Sequence, residues 1–292
     1  MGDARPIGFF DSGVGGLTVL REVVRRLPFE STLYLGDGAR APYGPRSDEE
    51  VIRFSSECLD ELADRDVKAI VIACNTSSAV ALPELRRRYG VPILGVVRPG
   101  AAAAALATRS RRVGVIATQA TIRSHAYFQA IKDEDPFIEV RELATPELVP
   151  LVESGELDGA HARDVVTRSL APLFAGRAAG PETGRDGADG ASSSATHGRI
   201  DTLVLGCTHY PLLAPHIGAV AGADVAIIDS ASATASALAG LLDAHDLAAE
   251  ADAPPSHLQL TTGDLASFRR IAQRLFGDLF PAVEAVAVAD PV

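Results

Sequence analysis

Short apolar runs alternate with helix-like segments along almost the whole of this 292-residue chain. Stretches such as 17–27 have apolar residues three or four positions apart, which is the spacing of a buried helix face. Nine other runs have the length and apolar character of buried strands: 7–10, 32–35, 69–73, 92–97, 112–117, 138–143, 202–205, 225–228 and 258–261. Strands that alternate with helices indicate a parallel sheet with crossover helices. The sequence therefore predicts an α/β fold, and its length favours two smaller sheets with a cleft between them.

Two of the predicted strands end at a cysteine that small hydroxyl and amide residues follow. The segments are AIVIACNTS at 69–77, which contains Cys74, and TLVLGCTHY at 202–210, which contains Cys207. Ligands of open α/β sheets bind at the carboxyl ends of the strands. One such cysteine is more often a small buried apolar residue than a catalyst. Two matching segments instead indicate one site with two thiols, which suits proton transfer on both faces of a carbon atom.

The three cysteines fit neither a disulfide framework nor an ordinary zinc site. They are odd in number and far apart, which indicates a reducing, cytoplasmic setting. Cys58 shares helical spacing with neighbouring apolar residues and is predicted to lie in the core. No C-x-x-C spacing occurs, so a zinc site is not expected, although Cys74, Cys207 and His209 could supply three ligands.

Charge and hydropathy exclude several classes of protein. The net charge of −11 disfavours a nucleic-acid-binding surface. The sequence shows neither a secretion signal nor an apolar run of the length that crosses a membrane.

The segment 175–199 is rich in glycine, alanine and serine and lacks apolar periodicity. It is predicted to be a flexible surface insertion.

Glycine-rich turns follow the first two predicted strands. The segments are DSGVGG at 11–16 and GDGARAPYG at 36–44. Glycines at such positions let the backbone approach a ligand and present N–H groups at the start of a helix. The pattern lacks the lysine of a phosphate loop, so a phosphotransferase is the weaker alternative.

Taken together, five segments resemble the cofactor-independent glutamate racemases: IGFFDSGVGG at 7–16, GD at 36–37, APYG at 41–44, ACNT at 73–76 and GCTHYP at 206–211. The resemblance extends over nearly the whole chain and implies two similar α/β domains with the active site between them. It implies a discontinuous first domain, 1–97 plus 211–292, and a second domain, 98–210. Gly38 departs from the family pattern because a threonine or serine usually stands there, so a hydroxyl contact is missing.

The resemblance also implies a role for individual residues. Cys74 would act on D-glutamate with the support of Asp11, and Cys207 would act on L-glutamate. His209 would assist Cys207 together with Glu153, although on spacing alone His209 could satisfy a turn and Glu153 could be a surface carboxylate. The substrate's carboxylates and ammonium would be bound by Asp11, Ser12, Tyr43, Gly44, Asn75, Thr76, Thr118, Thr121, Thr208 and His209.

No cofactor is implied, and the sequence's two lysines, Lys68 and Lys132, are not placed to hold pyridoxal phosphate. The implied function is supply of D-glutamate for peptidoglycan in the cytoplasm. Aspartate or a related acid as substrate remains an alternative, as does a regulatory binding protein. A homodimer is left open, and contact with DNA gyrase is suggested only by analogy with some members of the family.

Overall fold

The computed structural model of the chain describes residues 2–174, 198–250, 254–279 and 282–288. Within these residues the strands are β1 Ile7–Asp11, β2 Thr32–Gly36, β3 Ala69–Ile72, β4 Ile93–Gly95, β5 Arg112–Ala117, β6 Glu139–Ala144, β7 Thr202–Gly206, β8 Ala226–Asp229, β9 His257–Thr261 and β10 Val283–Ala285. The predicted insertion at 175–199 lies almost entirely outside the described residues, apart from its last two positions.

Helices connect most of these strands. They are α1 Leu17–Arg26, α2 Asp48–Ala63, α3 Asn75–Val80, α4 Leu82–Arg88, α5 Val97–Ala107, α6 Gln119–Arg123, α7 Ala126–Glu134, α8 Leu148–Ser154, α9 Gly159–Phe174, α10 Ala214–Ala221, α11 Ser230–Ala244 and α12 Leu265–Phe276. Two single-turn 3₁₀ helices cover Tyr210–Leu213 and Gly277–Leu279. In the described part of the chain, no helix is both long and apolar enough to cross a membrane.

The strands form two sheets in which every neighbouring pair is parallel. The first sheet has the order β10-β9-β2-β1-β3-β4, and the second has the order β6-β5-β7-β8. Every residue of β1, β2, β3 and β7 is buried, as expected of parallel strands covered by helices on both faces. The predicted α/β fold with two mainly parallel sheets is confirmed.

The second sheet extends further along the chain than the sequence predicted. Strand β8 pairs with β7, with Leu203 opposite Ile227, so this sheet includes residues up to Asp229. The chain rejoins the first sheet only afterwards, where α11 packs against α1. The prediction that the chain returns to the first sheet at residue 211 therefore places this return too early. A strand joins the sheet whose edge is free to pair with it, and the local sequence does not show which sheet that is.

Helix α2 confirms the prediction made for the third cysteine. The helix begins with a capping box, in which the Ser47 hydroxyl accepts a hydrogen bond from the Glu50 amide and the Glu50 carboxylate accepts one from the Ser47 amide. Cys58 lies on its apolar face and is completely buried in the core between this helix and the first sheet.

Candidate active site

Both cysteine segments reach the same cavity, of about 330 Å³, at the carboxyl ends of the two sheets. Cys74 follows β3 of the first sheet, and Cys207 follows β7 of the second. The cavity is lined by Ser12, Pro42, Tyr43, Gly44, Cys74, Asn75, Thr76, Thr118, Val149, Glu153, Cys207, Thr208 and His209. Eleven of these were predicted from the sequence, whereas Pro42 and Val149 were not. Both are apolar, and without a polar group nothing in the sequence separates them from core residues.

Cys74 occupies the N-cap position of α3 and is held in its protonated form. Its Sγ lies 3.6 Å from the Ser12 Oγ. Burial and the negative charge of Asp11 raise the pKa of Cys74 to about 11, although the Ser77 amide at the start of α3 acts in the opposite direction. At neutral pH, Cys74 is therefore a thiol that can donate a proton.

Asp11 lies behind the cavity lining, at the end of β1, and joins the two halves of the site. Its carboxylate accepts a hydrogen bond from the Gly13 amide at 3.0 Å and another from the Thr208 hydroxyl at 3.3 Å. Thr208 belongs to the segment after β7, so the contact crosses between the sheets. Burial raises the pKa of Asp11, and the nearby His209 charge opposes this shift.

Cys207 has a different electrostatic environment, because a histidine lies beside its thiol. The His209 Nδ1 lies 3.7 Å from Cys207 Sγ, and its Nε2 lies 3.5 Å from a Glu153 carboxylate oxygen. The distance between Nε2 and the Glu153 oxygen is that of an ion pair rather than of a hydrogen bond. Nε2 has no hydrogen-bond partner among the described residues. Burial lowers the pKa of His209, but Cys207 and Glu153 outweigh burial and raise it to about 10. At neutral pH, the imidazolium is therefore placed to stabilise a thiolate on Cys207.

Three threonine hydroxyls form a closed triangle between the halves. Thr76 and Thr118 are 2.9 Å apart, Thr118 and Thr121 are 3.0 Å apart, and Thr121 donates to Thr76 at 3.4 Å. Thr121 is completely buried behind Thr118 and is not among the lining residues. The triangle holds the N-terminus of α6 against that of α3, so the cavity has a hydroxyl wall built from both sheets.

The segment 42–44 lines the cavity and is held by hydrogen bonds to both halves of the protein. The Tyr43 hydroxyl donates a hydrogen bond to the buried carboxylate of Asp37, which also accepts one from Arg40 Nε at 2.7 Å. The Gly44 carbonyl accepts a hydrogen bond from the Ala120 amide at 3.0 Å, and an added Cβ at Gly44 would lie 2.9 Å from the Thr118 Cβ. Asp37 belongs to a segment that carries the family resemblance, but neither Asp37 nor Arg40 was predicted as a site residue, although Asp37 follows β2 directly, as Asp11 ends β1.

Gly38, the departure from the family pattern, lies away from the thiols. It is exposed and lines a second, more open cavity of about 740 Å³, which Glu153 also borders. The missing hydroxyl therefore does not face Cys74 or Cys207. Within the described residues, no group of three or more histidine, cysteine, aspartate or glutamate side chains is arranged to hold a metal ion.

Comparisons with known proteins agree with this geometry. The family model described as Asp/Glu/Hydantoin racemase matches residues 7–238. A glutamate racemase of Exiguobacterium sibiricum is 45% identical over 92% of this chain and 91% of its own length. The crystal structure of a glutamate racemase isoform from Bacillus anthracis has a TM-score of 0.86 and 40% identity, covering 97% of this chain and 98% of that one. A Francisella tularensis glutamate racemase, solved in complex with D-glutamate, has a TM-score of 0.83 and 32% identity, covering 98% of both chains.

Proposed function

The chain belongs to the Asp/Glu/hydantoin racemase family and is an isomerase, and we propose that it interconverts L- and D-glutamate by proton transfer at the α-carbon. The observation that carries the proposal is the pair of thiols, which line one cavity from two different sheets. Cys74 is set up as a proton donor, and Cys207 is paired with an imidazolium that favours a base. An acid and a base in one cavity meet the demand of inversion.

Conversion of L-glutamate to D-glutamate then removes a proton from one face of the α-carbon and adds a proton to the opposite face. The Cys207 thiolate removes the α-proton, and the electron pair of the C–H bond stays on the substrate as a carbanion next to the carboxylate. The Cys74 thiol donates its proton to the opposite face, which leaves Cys74 as the thiolate and Cys207 as the thiol. The reverse reaction exchanges the two roles. Asp11 supports Cys74 in this scheme, and His209 with Glu153 supports Cys207.

The polar lining suits an anionic substrate, and neither lysine nor arginine is among the residues that line the cavity. Polar groups of Ser12, Asn75, Thr76, Thr118 and Thr208 line the cavity where the two carboxylates would lie, and Thr121 acts through Thr118. Tyr43 and Gly44 line the same cavity. A strong fixed charge would hold substrate and product equally tightly, lowering KM without raising kcat.

The glycine-rich turn after β1 favours this reading over a phosphotransferase. The Asp11 carboxylate accepts a hydrogen bond from the Gly13 amide, and the Gly16 amide also lowers the pKa of Asp11, although burial acts more strongly and raises it. These two backbone donors of the turn are therefore engaged by a carboxylate of the chain itself and are not free to bind a phosphate.

D-Glutamate made by this reaction would supply peptidoglycan synthesis in the cytoplasm. A homodimer is left open, and a contact with gyrase stays a suggestion by analogy with some members of the family.

The proposal is tested by incubating the protein with L-glutamate and EDTA and following optical rotation. We expect the rotation to fall to zero without any added cofactor. L-Aspartate, measured in parallel, should react more slowly by roughly 10–200-fold, the usual effect of one methylene group in a fitted pocket. Reaction of aspartate alone would favour the related acid racemase, and activity that disappears with EDTA and returns with zinc would contradict the two-thiol mechanism.

A further inference from the structure

Tyr127, on α7, lies against the residue that is adjacent in sequence to each of the two catalytic cysteines. Its side chain is completely buried. The hydroxyl donates a hydrogen bond of 2.6 Å to Asn75 Oδ1, and Asn75 directly follows Cys74. An added Cβ at Gly206, which directly precedes Cys207, would lie 3.1 Å from the Tyr127 Cε2. Tyr127 therefore lies between the two cysteine segments, although it does not line the cavity.

The ring has little freedom to move. On its other edge, an added Cβ at Gly100 would lie 3.4 Å from both the Cε1 and the hydroxyl of Tyr127. Glycines on two sides thus leave a space that the aromatic ring fills. The position of the Tyr127 hydroxyl is consequently fixed by packing with α5 and β7, independently of whether anything occupies the cavity.

The direction of the hydrogen bond at this hydroxyl follows from its partner. The Asn75 carbonyl oxygen can only accept, so the Tyr127 proton is directed to it. The Asn75 NH₂ group is then turned the other way.

That NH₂ group has no protein partner. Asn75 lines the cavity and is only 2% exposed, and its Nδ2 makes no hydrogen bond among the described residues. Buried amide donors are nearly always satisfied, so an unsatisfied one beside a cavity marks the place of a ligand acceptor. A carboxylate oxygen is an acceptor of this kind, and an ammonium group is not.

We propose that Tyr127 is a positioning residue that holds the Asn75 amide with its NH₂ group towards the cavity, where it donates to a carboxylate oxygen of the substrate. This inference rests on the proposed function, because it takes the ligand to be an amino acid with two carboxylates. Tyr127 acts through Asn75 and touches neither substrate nor reacting atoms.

The Tyr127→Phe variant tests the inference because it removes the hydroxyl and keeps the ring. We expect KM for both glutamate enantiomers to rise by about tenfold, the effect of one hydrogen bond to a charged group, with kcat changed by less than about threefold. Tyr89→Phe is the matched control. It also removes a hydroxyl with two hydrogen bonds, to Ser56 and Asp60, but Tyr89 does not line the cavity or contact Asn75, so KM should stay unchanged.

A double-mutant cycle separates positioning from a general loss of stability. Dissociation constants for D-glutamate are measured by calorimetry for the wild type, Tyr127→Phe, Asn75→Ala and the double variant. If Tyr127 acts through Asn75, Tyr127→Phe weakens binding in the wild-type background and has no further effect in the Asn75→Ala background. Equal effects in both backgrounds, or an unchanged dissociation constant in Tyr127→Phe, would overturn the inference.

Two further results keep this test separate from that of the function. A wild-type protein that neither binds D-glutamate nor racemises it refutes the proposed function itself. If Tyr127→Phe does not fold, Asn75→Asp is measured instead, because it keeps an oxygen for the Tyr127 hydroxyl and replaces the NH₂ group with an oxygen that cannot donate to a carboxylate. Weaker binding of D-glutamate by Asn75→Asp supports the inference, and unchanged binding contradicts it.

Discussion

At the scale of single residues, the two thiols differ in the charges around them rather than in their burial. Cys74 and Cys207 are both at most 6% exposed. A carboxylate lies close to the first, and burial together with that charge keeps the proton on sulfur. An imidazolium lies beside the second, and His209 in turn has Glu153 on its far side. A site that starts in this state is ready to take a proton from L-glutamate, which is the direction that the resemblance assigns to Cys207.

The raised pKa of His209 predicts a pH dependence of stability. Its value in the folded protein is about 10, against an ordinary value of 6.5, so protonation favours folding. The stabilisation should be complete below pH 6.5 and disappear as the pH rises through about 10. Urea unfolding of the wild type and His209→Asn should therefore differ in free energy at pH 6 and converge towards pH 10.

An exposed histidine provides the control for this measurement. His245 ends α11 and contacts neither thiol. When His209→Asn is made in a His245→Asn background, its effect on the free energy of unfolding should be the same as in the wild-type background at both pH values. A difference between wild type and His209→Asn that stayed constant, or grew with pH, would show that the ion pair with Glu153 does not hold the proton in the folded state.

At the scale of elements, strand ends could be predicted from the sequence and lateral partners could not. Apolar runs bounded by glycine and polar turns located both cysteine segments, and parallel pairing then required their carboxyl ends to face the cavity. Tyr127 was missed because a tyrosine within an amphipathic helix has no local signal of what its hydroxyl meets. Strand β8 was assigned to the wrong half for the same reason. Which strand it pairs with depends on the arrangement of the whole sheet, and its own sequence does not show that arrangement.

Strand β4 shows a further limit of local patterns. The apolar run 92–97 was predicted as one strand, whereas β4 ends at Gly95 and α5 begins at Val97. The side chains of Val96 and Val97 are both buried, so their apolar character fits either element. An apolar run in the sequence therefore predicts that its residues are buried, but it does not predict where a strand ends and a helix begins.

The turn between β1 and α1 predicts a sharp effect of one added methyl group. A Cβ at Gly15 would lie 2.4 Å from the Thr208 Oγ1 and 2.8 Å from the His209 Nδ1. Gly15→Ala should displace both side chains, lower kcat/KM by at least about tenfold and destabilise the protein by about 1–3 kcal/mol. Racemisation kinetics and urea unfolding measure the two effects.

Gly90→Ala is the control for that substitution. Gly90 lies in an exposed bend, and an added Cβ there would meet nothing within 4 Å. The free energy of unfolding of Gly90→Ala should differ from that of the wild type by less than about 0.5 kcal/mol, and kcat/KM should be unchanged. Wild-type kcat/KM in Gly15→Ala would mean that the close approach of the turn to the segment after β7 is not needed for the reaction.

At the scale of the whole molecule, the active site exists only where the two sheets meet. Asp11 is bonded to Thr208, Thr76 to Thr118, the Gly44 carbonyl to the Ala120 amide, and Asn75 to Tyr127, and each contact joins the first half to the second. Neither half contains both thiols. The architecture therefore predicts that a variant without one thiol keeps the other thiol and its supporting residues in place, on the other sheet.

The most direct measurement is α-deuterium exchange in D₂O, followed by NMR for each glutamate enantiomer with Cys74→Ala and Cys207→Ala. Racemisation should fall by at least ~10²-fold in both variants, since a positioned acid or base contributes about 10²–10⁴-fold. Cys74→Ala should favour exchange of L-glutamate without inversion, and Cys207→Ala exchange of D-glutamate. Cys58→Ser, which changes the buried thiol of α2, should racemise normally. Near-wild-type racemisation by either of the first two variants would contradict the two-thiol mechanism, because one base cannot serve both faces of a bound substrate.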